Sequence, residues 1–132
     1  MKVRGLDNKE HSINLALYIK QRTGCSSLHL KTRQILKEVF PLEQILEEVP
    51  LPSTRLFADF FIPSKDLIIE VNGEQHYKMN SFHHKNKMSF YKGQKRDRTK
   101  EEWCILNGIE LIVLSYEETE DEWRTRIIKR NS

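Results

Sequence analysis

Apolar residues recur at helical spacing in the first third of the chain and then condense into short, dense runs. Ile13, Leu15, Ala16, Leu17 and Ile19 predict a short helix over residues 12–21, stopped near Gly24. Ser26 and Ser27 are natural amino-terminal caps for a second helix through Leu28, Leu30, Ile35, Leu36 and Val39, with Pro41 just past its end. Residues 45–49 read as a strand closed by Pro50 and Pro52. The aromatic-rich run 56–62 predicts a second strand that flows into a turn at Pro63-Ser64-Lys65-Asp66. Residues 67–71 are almost continuously apolar, the pattern of a central strand covered on both faces, and Asn72-Gly73 breaks them. Residues 75–87 are polar and rich in histidine and read as a loop. A long helix over 89–106 ends at Asn107-Gly108, where a left-handed residue closes helices readily. Residues 109–114 form another buried run. The last helix, 117–129, has acids first and bases last, which suits the helix dipole, with Trp123, Ile127 and Ile128 on its inner face.

This order predicts an α/β fold, a mixed sheet of about four strands flanked by helices. Residues 1–26 read as a basic helical extension and 27–132 as the main domain, a single globular unit at 132 residues. No apolar run approaches the roughly 20 residues needed to span a bilayer, and the amino terminus lacks a signal peptide's apolar core, so the cytoplasm is the expected location. Cys25 and Cys104 make neither a disulfide framework nor a zinc quartet and read as buried free thiols. His83-His84 lacks a second ligand pair at zinc spacing.

Charge is segregated. Residues 1–37 hold eight Lys/Arg against two acids and residues 76–100 hold eight against Asp97 alone, whereas residues 38–75 hold two against eight acids. Basic surface attracts a polyanion, and an acidic cluster repels it unless a cation intervenes. The acidic block contains two carboxylates inside apolar strands. Asp59 lies among Phe57, Phe60 and Phe61, and Glu70 follows Leu67-Ile68-Ile69. An ionised carboxylate in such surroundings is costly without a compensating cation or several donors. A hairpin about the 63–66 turn centres the pair between Ser64 and Lys65 and sets them across from one another. Mg²⁺ favours one or two carboxylates with water and phosphate oxygens. The plain alternative is that both acids sit at strand ends in water or pair with Lys/Arg.

His76, six residues after Glu70, could take a proton from water near neutral pH, or be a surface histidine beside the Asn72-Gly73 turn. Asp97 is either an ordinary helical acid making local pairs or a group turned toward the site, orienting His76 or holding a second ion. Its basic surroundings, Lys78, Lys85, Lys87, Lys92, Lys95, Arg96, Arg98 and Lys100, would grip phosphates without reading sequence.

Together, Phe57-Ala58-Asp59-Phe60-Phe61-Ile62-Pro63, Ile69-Glu70-Val71-Asn72-Gly73-Glu74-Gln75-His76, Arg96-Asp97-Arg98 and Asn107-Gly108-Ile109-Glu110-Leu111-Ile112-Val113-Leu114 resemble one family. This is the PD-(D/E)XK nuclease superfamily, in its branch of very-short-patch repair (Vsr-like) and phage EDxHD homing endonucleases. The resemblance spans residues 28–116 and implies a restriction-endonuclease-like fold and a Mg²⁺-dependent DNA endonuclease, with Mn²⁺ as a substitute, leaving 5′-phosphate and 3′-hydroxyl ends. It makes Asp59 and Glu70 metal ligands together with the Val71 backbone carbonyl, and His76 and Asp97 the catalytic His and Asp. The branch's helix glutamate falls nearest to Glu38, late in its helix, with Gln34 one turn earlier as a competitor. The superfamily's lysine is Asn72 here, which leaves general-base duty to His76. No cysteine set matches the structural zinc of the repair enzymes, which favours the phage type and a bacterial host cytoplasm. DNA is the expected partner, a membrane is not, and monomer and homodimer both stay open. Two other classes compete: a nucleic-acid-binding module that kept the fold without catalysis, and an accessory structural protein with neither property.

Overall fold

The computed structural model describes residues 1–21, 23–72 and 84–130, of which residues 84–94 and 130 are described by their backbone alone. In chain order the elements are β1 (Lys2–Arg4), β2 (Glu10–Ser12), a 3-10 turn at Leu15–Tyr18, α1 (Ser27–Val39), β3 (Leu46–Pro50), β4 (Phe57–Ile62), a 3-10 turn at Pro63–Lys65, β5 (Leu67–Asn72), α2 (His84–Leu106), β6 (Glu110–Ser115) and α3 (Glu120–Arg130). The fold is α/β, as the periodicity predicts. Strands β3-β4-β5-β6 form one mixed sheet, antiparallel except for the parallel β5–β6 pair that α2 connects. Such a connection is what a parallel pair requires.

Period-2 alternation divides the sheet's side chains between two cores. Phe61 and Ile68 face one cluster with Val49, Trp103, Cys104, Val3 and Ile13, which places α2 and the β1–β2 hairpin on that side. Phe60, Ile62, Leu67, Ile69, Ile112 and Leu114 face the other, against Ile35 and Leu36 of α1 and Trp123 and Ile127 of α3. β5 is thus covered on both faces, which explains its unbroken apolar run.

The helix ends follow their sequence signals. Ser26 Oγ accepts from the His29 N–H at 3.2 Å. Thr119 Oγ1 accepts from the Glu122 N–H at 3.1 Å while the Thr119 N–H donates back to Glu122 Oε1 at 3.3 Å, a capping box. Gly108, at φ +64, closes α2 in the left-handed region, and the Ile109 N–H donates to the Cys104 carbonyl at 2.9 Å.

Two expectations are corrected. Residues 1–26 are not a helical extension. β1 and β2 pair antiparallel around a turn that Asn8, at φ +64, makes possible, and only residues 15–18 coil. The apolar spacing of 12–21 misled because Leu17 and Ile19 face solvent, whereas Ile13 and Val3 enter the core with α2. The Asn107 side chain fastens the hairpin, accepting from the Arg4 N–H at 2.7 Å and donating to the Arg4 carbonyl at 2.9 Å. The helix expected from residue 89 begins at His84, so the end of the expected loop is helical; residues 75–83 lie outside the described ones.

Candidate active site

The β4–β5 register pairs Phe60 with Ile69, and one step further along the same ladder Asp59 faces Glu70. Their side chains lie on the α2 side of the sheet. The two carboxylates brace each other's strand. The Asp59 N–H donates to Glu70 Oε2 at 2.7 Å, and the Val71 N–H donates to Asp59 Oδ2 at 2.9 Å. One oxygen of each carboxylate is therefore committed to a backbone amide. Lys100 Nζ, from α2, donates to Glu70 Oε1.

Glu70 is only 6% exposed. Burial, reinforced by the charge of Asp59, pushes its carboxyl up from 4.5 to about 8, and the Lys100 ammonium opposes that shift without cancelling it. Like charges directly opposite in a ladder are destabilising, and one ammonium serves here for two carboxylates. The same burial, with Glu70's charge next, raises the nearby Cys104 thiol to about 12, so it is a core thiol and no nucleophile. Cys25 is half-buried, with Arg33 Nη2 at 3.9 Å from its sulfur.

A cavity of about 280 Å³ opens over the pair. Asp59, Glu70, Val71 and Asn72 form its sheet side, Asp97 and Lys100 its α2 side, and Arg55 and Phe57 part of its rim. The structure thus brings together six predicted positions: Asp59, Glu70 and Val71 on neighbouring strands, and Arg96, Asp97 and Lys100 on the facing helix. His76 and Lys78 lie outside the described residues, as do the side chains of Lys85, Lys87 and Lys92, whose backbone forms the first part of α2.

Glu38 is not in this cavity. Its carboxylate accepts from Arg124 Nε at 3.0 Å, joining α1 to α3 on the opposite face of the sheet, and Gln34 is exposed on the same helix. The basic tract 1–37 is likewise divided, with the hairpin on the α2 side and α1 on the other. Lys100 leaves the expected phosphate-gripping set and points at Glu70. The signal was present, since Lys100 precedes the core residues Trp103 and Cys104 by one helical turn and shares their face. Arg55 was missed as well. It stands in the bend before β4, two residues ahead of Phe57, where strand alternation gives no signal for its direction.

Among the described residues no group of three or more His, Cys, Asp or Glu is clustered for metal binding, and no helix is long and apolar enough to cross a membrane. No protein-family model and no solved structure matches the chain. It is similar to "Uncharacterized protein 033L" of Invertebrate iridescent virus 3, at 40% identity over 67 residues, 51% of this chain and 34% of the relative. It is also similar to "Uncharacterized protein 307L" of Invertebrate iridescent virus 6, at 41% identity over 58 residues, 44% of this chain and 29% of the relative. The chain spans about a third of the length of the curated relatives it matches, and both come from invertebrate viruses where the motifs pointed to phages.

Proposed function

We propose that the chain is a Mg²⁺-dependent endodeoxyribonuclease whose centre is Asp59 and Glu70. The observation that carries this reading is a carboxylate pair set face to face on adjacent strands, braced by backbone amides and roofed by a cation-lined cavity. Two carboxylates are the donor set Mg²⁺ accepts when phosphate oxygens and water complete its shell, so the residues fit the ion. Asp59 and Glu70 would hold it, with the Val71 carbonyl as a third protein oxygen. When bound, the ion supplies charge compensation at the scissile phosphate and lowers the pKa of a water.

The chain's own groups divide the remaining work. Arg55 and Arg96, which line the cavity, hold phosphate oxygens. Lys100, which lines the same cavity and pairs with Glu70, would turn its ammonium to the negative charge that develops on the phosphate when Glu70 holds the ion. It stands in for the superfamily lysine whose strand position Asn72 fills. His76, which lies outside the described residues, would accept the proton of the attacking water, with Asp97 as the acid that the resemblance pairs with it. The phosphorus–O3′ bond breaks, and the leaving oxygen takes its proton from solvent. The two iridescent-virus relatives support a viral setting for this activity.

One observation favours the binding-module alternative. Lys100 already offsets part of the Glu70 charge, so the pair has a structural role without metal. Supercoiled plasmid and circular single-stranded DNA incubated with protein in Mg²⁺ or EDTA separate the readings. Nicked, linear or fragmented product only in Mg²⁺ supports the nuclease, and retention of DNA without product supports the binder.

A further inference from the structure

A second, larger cleft of about 750 Å³ adjoins the carboxylate cavity and shares Arg55, Leu56 and Arg96 with it. Lys95 adds a third cation, the Ser53, Thr54 and Thr99 hydroxyls in its wall are each already bonded to backbone groups, and no carboxylate lines it among the described residues. None of the ion pairs between described residues engages Arg55, Lys95 or Arg96. The apolar part of its wall is Leu6, which the hairpin turn brings over, and Leu56. Next in the chain after the shared Arg55 and Leu56, and lining the carboxylate cavity rather than the cleft, stands Phe57, an aromatic ring left 50% exposed at the start of β4.

Cations beside an apolar wall suit a ligand with an anionic and an apolar half. The volume lies in the roughly 300–1,000 Å³ range of small-ligand sites and is far too small for a duplex. A ring such as Phe57 stacks on an unpaired base without opening anything, whereas in a duplex it must first unstack a base step at a cost of about a few kcal/mol.

We infer that this cleft is the subsite for an unpaired nucleotide of a single DNA strand, next to the phosphate over Asp59 and Glu70. Arg55 and Arg96, common to both cavities, bridge successive phosphates, Lys95 steers the strand in the cleft, and Phe57 stacks the base where the strand passes from the cleft into the carboxylate cavity. That the neighbouring phosphate is the one cleaved rests on the nuclease reading; strand binding in the cleft does not.

The test is fluorescence anisotropy in EDTA with a labelled 12-nucleotide single strand and the same sequence as a duplex, for wild type, Phe57→Ala and Arg55→Gln/Arg96→Gln, each checked for native circular dichroism. EDTA keeps the readout independent of cleavage, so a protein that binds without cutting fails only the nuclease reading. Wild type should bind the single strand at least about tenfold more tightly than the duplex. Phe57→Ala should weaken single-strand binding about 5- to 100-fold, as loss of one stacked base does, and leave duplex binding unchanged. The double variant should flatten the salt dependence of single-strand binding, by about 0.7 in log–log slope for each phosphate no longer neutralised. Equal or tighter duplex binding, or an unchanged single-strand affinity for Phe57→Ala, overturns the inference.

Discussion

Asp59 and Glu70 each satisfy a backbone donor beside the other: Glu70 accepts from the Asp59 N–H at 2.7 Å, and Asp59 accepts from the Val71 N–H at 2.9 Å. The exchange fixes both carboxylates side by side without neutralising either. Once Glu70 is ionised, the pair concentrates negative charge beneath a cavity that three cations, Arg55, Arg96 and Lys100, line.

The raised carboxyl of Glu70 predicts a pH signature. Its folded value, about 8, exceeds its ordinary 4.5, so the protonated form is the one the fold favours. Its stabilising contribution is therefore complete below about 4.5 and is lost as pH rises to about 8. Metal-free wild type should lose on the order of a few kcal/mol relative to Glu70→Gln across that window, read by urea denaturation at pH 5 and pH 8. Mg²⁺ at pH 8 should raise the wild-type Tm and leave Glu70→Gln unmoved. Parallel pH profiles would contradict the assignment.

Above about pH 8, where Glu70 is ionised, Lys100→Met should destabilise by up to ~3 kcal/mol, because it removes the cation beside a buried carboxylate; at pH 5 the loss should be smaller. Adding Glu70→Gln to it should recover most of that loss. A double-mutant cycle measures the coupling, and a single variant as mild as the double would show that the ion pair is weak.

On the other face of the sheet, Glu47 of β3 accepts from Arg33 Nε and Nη2 at 2.7 and 2.8 Å and lies 2.7 Å from His29 Nε2, while His29 stacks on Phe60. This network is walled off from the carboxylate cavity by the sheet. Glu47→Gln should cost ~2–4 kcal/mol of stability and leave cleavage per folded molecule unchanged. Lost cleavage in a fully folded variant would place the network in the reaction.

Glu38 and Asp97 should behave oppositely. Glu38→Ala removes an exposed pair with Arg124, costs less than ~1 kcal/mol and leaves cleavage intact. Asp97→Asn should keep its Tm and lose about 10- to 100-fold in rate, the range for residues that orient another catalytic group. Paired thermal melts and rate measurements decide both.

The parts of the fold legible in the sequence were those whose cause is local. The two-sided burial of β5 shows as an unbroken apolar run, the cap of α1 as Ser26, and the hairpin register as a turn at fixed distance from Asp59 and Glu70. What escaped depends on partners distant in the chain. Residues 12–21 carry a helical spacing, yet Ile13 is held by Met1 and β2 by β1, so pairing with the first residues overrides it. The charge of Lys100 suggested phosphate, and only the packing of Trp103 beneath the same helix face turns it onto Glu70. Glu38 looked eligible because it is a glutamate on the right helix, and Arg124, eighty-six residues on, claims it.

The most direct test of the central claim is Mg²⁺-dependent cleavage of circular DNA, plasmid and single-stranded, by wild type and Asp59→Ala purified side by side. The account predicts turnover by wild type, none in EDTA, and a loss in Asp59→Ala on the order of a thousandfold or more, as expected when a metal's several kcal/mol of stabilisation is removed. Equal cleavage by the two proteins, or none by a folded wild type in Mg²⁺ or Mn²⁺, would contradict it.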